Sequence, residues 1–333
     1  MRRYRHGDPP RMSSSVDLTS RIGNVVLPNP ILTAAGTSGY STELSEYIDL
    51  SRLGAVVVKS LRIEDWPGNP APRLTPVGQG LLNSVGLEGP SLKTWIDQHL
   101  PRLRETGARV VLSVWGRTVA EFAQAGQLLA EPPDGLLALE VNVSCPNVED
   151  RSSMFAHSAK ATAEVVSAMR ACSLPLWVKL SPNVPNLVDI ALAAVEAGAD
   201  ALVLINTVLG MKIDIENRRP VLGGKGGGLS GPPIHPVAVR SVYDCYRALS
   251  EVPIIGVGGV MHGRDAIELM MAGAAAVQVG TANFLDPRAT VKVLDEIEEW
   301  CATHGVDRVA ELIGAAHSSD DQDDLHDVAA DVP

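Results

Sequence analysis

Short runs of β-branched and aliphatic residues recur along this chain of 333 residues, with Ala- and Leu-rich stretches of helical period between them. Eight runs stand out: Ile31–Ala35, Ala55–Ser60, Arg109–Val114, Leu137–Val143, Leu176–Leu180, Ala201–Asn206, Pro253–Val257 and Ala276–Val279. Each is nearly continuous rather than alternating, the pattern of a strand buried on both faces in a parallel sheet. Val119–Ala130 and Ala159–Arg170 carry apolar residues at helical spacing. Val188–Ala197 runs into Gly198 and Ile267–Ala272 into Gly273, and glycine after the last apolar position is a helix stop. Eight strand–helix units predict an α/β fold that closes on itself, a (β/α)8 or TIM barrel. An open doubly wound sheet is the alternative, but the G-x-G-x-x-G turn that would support it after the first strand is missing.

Two long stretches show neither period. Residues 61–92 carry Pro67, Pro70, Pro72 and Pro76, and residues 207–235 carry Lys225 within a glycine-rich run from Gly223 to Gly228. Both follow strands, so both are predicted as long loops over the C-terminal mouth, where a barrel builds its active site. The length alone suggests about two domains, but the repeated pattern reduces this to one barrel over 16–314. Residues 1–15 and the acidic 315–333 are expected to be disordered extensions.

Composition narrows the function. Hydrophobic residues make up 45% and charged residues 20%, an ordinary globular balance. The formal charge is −11, and Asp320, Asp321, Asp323, Asp324, Asp327 and Asp331 at the end hold more than half of it. The body is still acidic, which argues against nucleic acid as the main partner. No apolar run approaches the roughly 18 residues that would cross a bilayer. No apolar stretch follows the first arginines, so neither a membrane anchor nor a secretory signal is expected, and the location expected is cytoplasmic. The four cysteines, Cys145, Cys172, Cys245 and Cys301, are far apart, which argues against a metal site, an iron–sulfur site or a disulfide framework.

Three kinds of residue at strand ends could carry chemistry. Asn142-Val143-Ser144-Cys145-Pro146-Asn147 follows the fourth run, with two amides flanking a thiol. Amides offering donors and acceptors suit a flat heterocycle with alternating N–H and C=O groups. A thiolate there can act as base or nucleophile, although a free cysteine is as readily a packing residue. Asn83 in Leu82-Asn83-Ser84-Val85-Gly86-Leu87, and Asn206 before Thr207, add two more amides. Lys59 and Lys179 close the second and fifth strands. Burying an ammonium there is costly unless it meets an anion or a polarised carbonyl. Finally, Gly256-Val257-Gly258-Gly259 and Gly280-Thr281 end strands seven and eight, where many barrels bind phosphate through backbone N–H groups.

In order and spacing, NPILTAAGTSGY, GNPAPRL, LLNSVGL, LEVNVSCPN, VKLSPN, ADALVLINTVLGMK, GGLSGPPIHPVA, VPIIGVGGV and AAVQVGTANF resemble class 1 dihydroorotate dehydrogenase. The resemblance is strongest to the catalytic subunit of the type B branch and runs from Val16 to Gly314. It implies an FMN-binding barrel that oxidises dihydroorotate to orotate in de novo pyrimidine biosynthesis. It makes Cys145 the general base at substrate C5, with hydride passing from C6 to flavin N5. It places Lys59, Asn83, Gly86, Leu87, Asn142, Asn147, Asn206 and Thr207 on the substrate. It places Ala35, Gly36, Lys59, Ser60, Asn142 and Lys179 around the flavin ring. Ser230, Gly231, Gly258, Gly259, Gly280 and Thr281 would follow its ribityl chain and phosphate. It also implies a homodimer, and a separate subunit with FAD and an iron–sulfur cluster that passes electrons to NAD; fumarate is an alternative acceptor.

A related flavin barrel acting on dihydrouracil is the competing enzyme, separated by a site for the orotate carboxylate. A flavin-free scaffold is the competing non-enzyme, and the intact Cys145, Lys59 and Lys179 argue against it. Three positions depart from the type B pattern. Ser113 stands where an Asn touches flavin, Trp115 is bulkier than usual at the third strand's end, and the segment from Glu149 to His157 lacks the usual glycines.

Overall fold

The computed structural model describes residues 16–144 and 154–317. All eight predicted runs form strands: β1 (Ile31–Thr33), β2 (Val56–Val57), β3 (Val110–Val114), β4 (Leu136–Asn142), β5 (Leu176–Lys179), β6 (Ala201–Leu204), β7 (Ile254–Val257) and β8 (Ala274–Val279). They pair in parallel in the order β1-β8-β7-β6-β5-β4-β3-β2. A parallel bridge between Leu32 and Ala55 joins β1 to β2 and closes the cylinder. The fold is a TIM barrel.

The outer helices are α1 (Leu92–Gln98), α2 (Leu100–Glu105), α3 (Val119–Leu128), α4 (Ala159–Ala168), α5 (Leu187–Glu196), α6 (His235–Ala248), α7 (Gly263–Met271), α8 (Ala282–Leu285) and α9 (Ala289–His304). The four predicted helices are α3, α4, α5 and α7. Three of them start on a side-chain cap: Thr118 accepts from Glu121 N, Ser158 from Ala161 N and Asn186 from Val188 N. Between β1 and β2 the chain crosses through two 3-10 turns, Glu43–Glu46 and Leu50–Arg52.

Two apolar cores follow from strands buried on both faces. The outer one lies between barrel and helices and holds Trp95, Phe122, Phe155 and Ile297 among others. The inner one fills the barrel with Leu32, Val57, Val111, Trp177, Val203 and Ile255, and with alanines at 138, 201 and 276 that leave volume for the Trp177 indole. A hairpin of Ser20–Ile22 and Val25–Leu27 adds Ile22, Val25 and Leu27 to this core. Ser20 Oγ donates to Ala275 O at 2.6 Å, which puts the hairpin at the N-terminal end of β8. Two residues above the apolar floor, the inward positions become Ser113, Glu140, Lys179 and Gln278, all buried. The barrel is therefore apolar below and polar just beneath its mouth.

The two long segments over the mouth carry short strands of their own. Residues 61–92 contain strands Leu74–Val77 and Gly80–Asn83, and residues 207–235 contain Val208–Gly210 and Gly227–Ser230. These form an antiparallel sheet in the order 208–210, 227–230, 80–83, 74–77. Leu82 pairs with Leu229, and Leu82 is buried beneath the sheet. The packed chain also runs past 314. Ala316 N donates to Met271 O, and the His317 ring stacks on Tyr243 with centroids 3.9 Å apart.

Trp177 is the largest side chain of the inner core, and its indole N–H has no acceptor among the described residues. Trp177→Ala should leave a dry cavity and cost about 3–5 kcal/mol of stability. Urea unfolding of the variant checks this, with the midpoint falling while the slope stays near that of the parent.

Candidate active site

One cavity opens at the C-terminal mouth. Ala35 and Gly36 follow β1, and Lys59 and Ser60 follow β2, and all four line it. Asn83, Gly86 and Leu87 enter from the mouth sheet and the loop after it. Asn142 and Lys179 end β4 and β5, and Asn206 and Thr207 follow β6. Ser230 and Gly231, Gly258 and Gly259, and Gly280 and Thr281 complete the wall. Every sequence-predicted site residue that the structure describes is thus on one surface. Cys145 and Asn147 lie outside the described residues. Ser144, immediately before Cys145, lines the cavity, and its N–H donates to Asn142 Oδ1 at 3.1 Å.

The two lysines differ in their surroundings. Lys59 is partly buried, and among the described residues its ammonium has no hydrogen-bond or ion-pair partner. Loss of water lowers its pKa, an effect that Glu88 opposes and Lys179 reinforces. Gly36, at φ +87°, which favours glycine, lies alongside; a Cβ there would crowd the lysine, 3.2 Å from its Nζ. Lys179 is instead held from below. Its Nζ donates to Gln278 Oε1 at 3.3 Å and lies 3.8 Å from Glu140 Oε1.

The amides are oriented by one another. Asn206 Nδ2 donates to Asn142 Oδ1 at 3.4 Å, and Asn142 Nδ2 donates to Ser60 Oγ at 3.3 Å. Asn83 Nδ2 donates to Gly228 O at 3.2 Å across the mouth sheet. Next to this sheet the loop turns at Gly86 (φ +73°) and Leu87 (φ +58°), and Trp66 Nε1 holds Gly86 O at 2.9 Å. Trp115 packs edge-on against Trp66, with centroids 5.8 Å apart, and Arg62 lies over both rings. Trp115 is buried in the outer core and does not line the cavity; it supports the Gly86 turn from behind. Ser113 is likewise fully buried, beneath Ser60, and does not reach the cavity. At the opposite rim His235 Nδ1 lies 2.8 Å from Gly258 O and pins the Gly258–Gly259 turn.

Glu140, Gln278 and Trp66 were missed from sequence. Glu140 and Gln278 did leave a signal: each is a polar residue flanked on both sides by apolar ones within a strand run.

Fold and site together define a barrel enzyme whose mouth takes a hydrogen-bonding heterocycle with anionic groups. The sequence profile of dihydroorotate dehydrogenase matches residues 17–301. The chain is similar to the protein named dihydroorotate dehydrogenase B (NAD(+)), catalytic subunit, in several bacteria. Identity is 46% over 300 residues in Geotalea uraniireducens, covering 90% of this chain and 98% of the relative. It is 47% over 300 residues in Geotalea daltonii, with the same coverage. It is 48% over 298 residues in Desulforudis audaxviator, covering 89% and 96%. The chain belongs to the dihydroorotate dehydrogenase family, FMN-dependent enzymes that oxidise dihydroorotate to orotate in pyrimidine biosynthesis.

The residues present suit FMN. One wall offers two ammonium groups, Lys59 and Lys179, and the other offers backbone unobstructed by side chains at Gly231, Gly258, Gly259 and Gly280.

A Cβ at Gly228 would lie 2.0 Å from Thr207 Oγ1. Gly228→Ala should push the mouth sheet off Thr207 and cost about 1–3 kcal/mol, an overpacking effect. Thermal unfolding should show a lower Tm, with far-UV circular dichroism at room temperature unchanged.

Proposed function

We propose that this cavity oxidises dihydroorotate with bound FMN, and that the chain is the catalytic component of an NAD-linked enzyme. The observation that carries the reading is the convergence of Lys59, Lys179 and the amides of Asn83, Asn142 and Asn206 beside Ser144. In this reading the three amides, with Asn147, pair with the pyrimidine ring, and Gly86, Leu87 and Thr207 complete its pocket. Cys145 takes the proton from C5. FMN, when bound, supplies the acceptor for the C6 hydride. Lys179 supplies positive charge at the cofactor. Ala35, Gly36 and Ser60 pack on the ring, and Ser230, Gly231, Gly258, Gly259, Gly280 and Thr281 hold the chain and phosphate.

Lys59 favours dihydroorotate over dihydrouracil. An ammonium with no partner among the described residues is best satisfied by a substrate carboxylate, which dihydrouracil lacks. Electrons leave through a separate FAD and iron–sulfur subunit to NAD, the acceptor for which the relatives are named. The working unit is a cytoplasmic homodimer of this chain with that subunit. Steady-state assays with dihydroorotate test this, offering NAD, fumarate and a quinone in turn, with and without the partner. NAD reduction only in the partner's presence supports the assignment; fumarate turnover by the chain alone would replace it.

Three further outcomes are expected. Cys145→Ser should lose most turnover while keeping its FMN; loss of flavin instead would make the residue structural. With Cys145 intact the rate should climb toward alkaline pH, because a thiol of pKa about 8.5 is mostly protonated at neutrality. Orotate affinity should run the other way. The anion binds the charged lysine, so affinity should fall as pH rises through the pKa of Lys59, and earlier than for an ordinary lysine. Titrating orotate into the Cys145→Ser protein across pH isolates this effect from the thiol.

A further inference from the structure

Beneath the cavity lies a carboxylate that the chemistry above does not use. Glu140 is 0% exposed, in the run Leu139-Glu140-Val141 of β4. Its Oε2 accepts from Gln278 Nε2 at 2.7 Å, and its Oε1 accepts from Ser113 Oγ at 3.0 Å. Oε1 is also 3.8 Å from Lys179 Nζ, which donates to the other end of the same glutamine. Lys179, Gln278 and Glu140 therefore close a ring across β5, β8 and β4.

The hydrogen bonds run one way. Ser113 has a single hydroxyl proton and gives it to Glu140, so Ser60 Oγ, 2.9 Å away, must be the donor to Ser113. Ser60 in turn accepts from Asn142 Nδ2. Every donor in the chain Asn142–Ser60–Ser113 points toward Glu140. Both oxygens of Glu140 thus accept, Oε1 from Ser113 and Oε2 from Gln278. Lys179, Ser60 and Asn142 line the cavity, whereas Glu140, Ser113 and Gln278 do not.

We propose that Glu140 is the buried counter-ion of Lys179 and sets the reduction potential of FMN in this cavity. The proposal rests on the reading that the cavity holds FMN. Accepting two electrons makes the cofactor more negative, so the positive charge facing it favours reduction. Glu140 cancels part of that charge across a short, dry path in which little water screens it. It touches neither cofactor nor substrate; it is a positioning residue that acts through Lys179.

The test is a potentiometric titration of the FMN-loaded protein, read from the flavin absorbance. Glu140→Gln keeps the side chain's size and removes its charge. The reduction equilibrium should shift toward the reduced form by about tenfold, a rise of about 30 mV for a two-electron couple. Glu140→Asp keeps the charge but draws it back from Lys179, and should give a smaller rise. Ser113→Ala removes a hydrogen bond and no charge, and should leave the potential in place. If Glu140→Gln does not retain FMN, Glu140→Asp decides: a raised midpoint supports the proposal and an unchanged one overturns it. An unchanged midpoint in Glu140→Gln also overturns it, as does a rise in Ser113→Ala equal to that in Glu140→Gln. A parent protein unable to bind FMN would instead overturn the reading of the cavity itself.

Discussion

An ammonium held at the top of a dry barrel needs an opposing charge and a set of acceptors, and the rest of the site is arranged around that requirement. Lys179 obtains both from Glu140 and Gln278, which reach it because β4, β5 and β8 turn alternate residues inward. The alternation also explains the floor below, where the inward positions two residues earlier are Ala138, Trp177 and Ala276. The apolar floor keeps water from beneath the pair, and the mouth above leaves Lys179 facing the cavity. Removing one partner of such a pair costs about 3–5 kcal/mol, so the polar layer and the apolar floor depend on each other.

The upper wall follows different physics. The mouth sheet contributes little apolar burial and relies on close backbone approach, which is why Gly228 fits against Thr207 only without a side chain. Its neighbouring turn at Gly86 and Leu87 is held by the Trp66 indole, packed edge-on in turn against Trp115 and covered by Arg62. The aromatic content of the chain is only 4%, and part of it is concentrated behind this turn. Lys179 and Asn142 are thus fixed from below by a buried polar network, and the Gly86 turn is fixed from the side by tryptophan.

Much of this was legible in the sequence, for identifiable reasons. Strands buried on both faces are nearly continuous apolar runs, so all eight barrel strands could be read directly. Helices α3 and α4 carried clear apolar spacing. Helices α2 and α6 were not among those predicted; each carries a proline in its first turn, Pro101 and Pro236, where proline is tolerated. The mouth sheet was missed because its strands are rich in glycine and proline and largely lack the alternation of a half-buried strand. The site's amides, lysines and glycines were visible as strand-end residues, and family resemblance gave them roles. Glu140, Gln278 and Trp66 were not legible as site residues, because their importance appears only when strands distant in sequence become neighbours. The position of Trp115, outward and not in the mouth, likewise required the packing.

If the cavity works as proposed, the FMN-loaded chain alone carries out the half-reaction in which dihydroorotate reduces the flavin. Anaerobic mixing of the FMN-loaded chain with dihydroorotate tests it most directly, following flavin absorbance and orotate together. The flavin should bleach, with one orotate formed per FMN reduced. A flavin that stays oxidised with dihydroorotate but bleaches with dihydrouracil would contradict it.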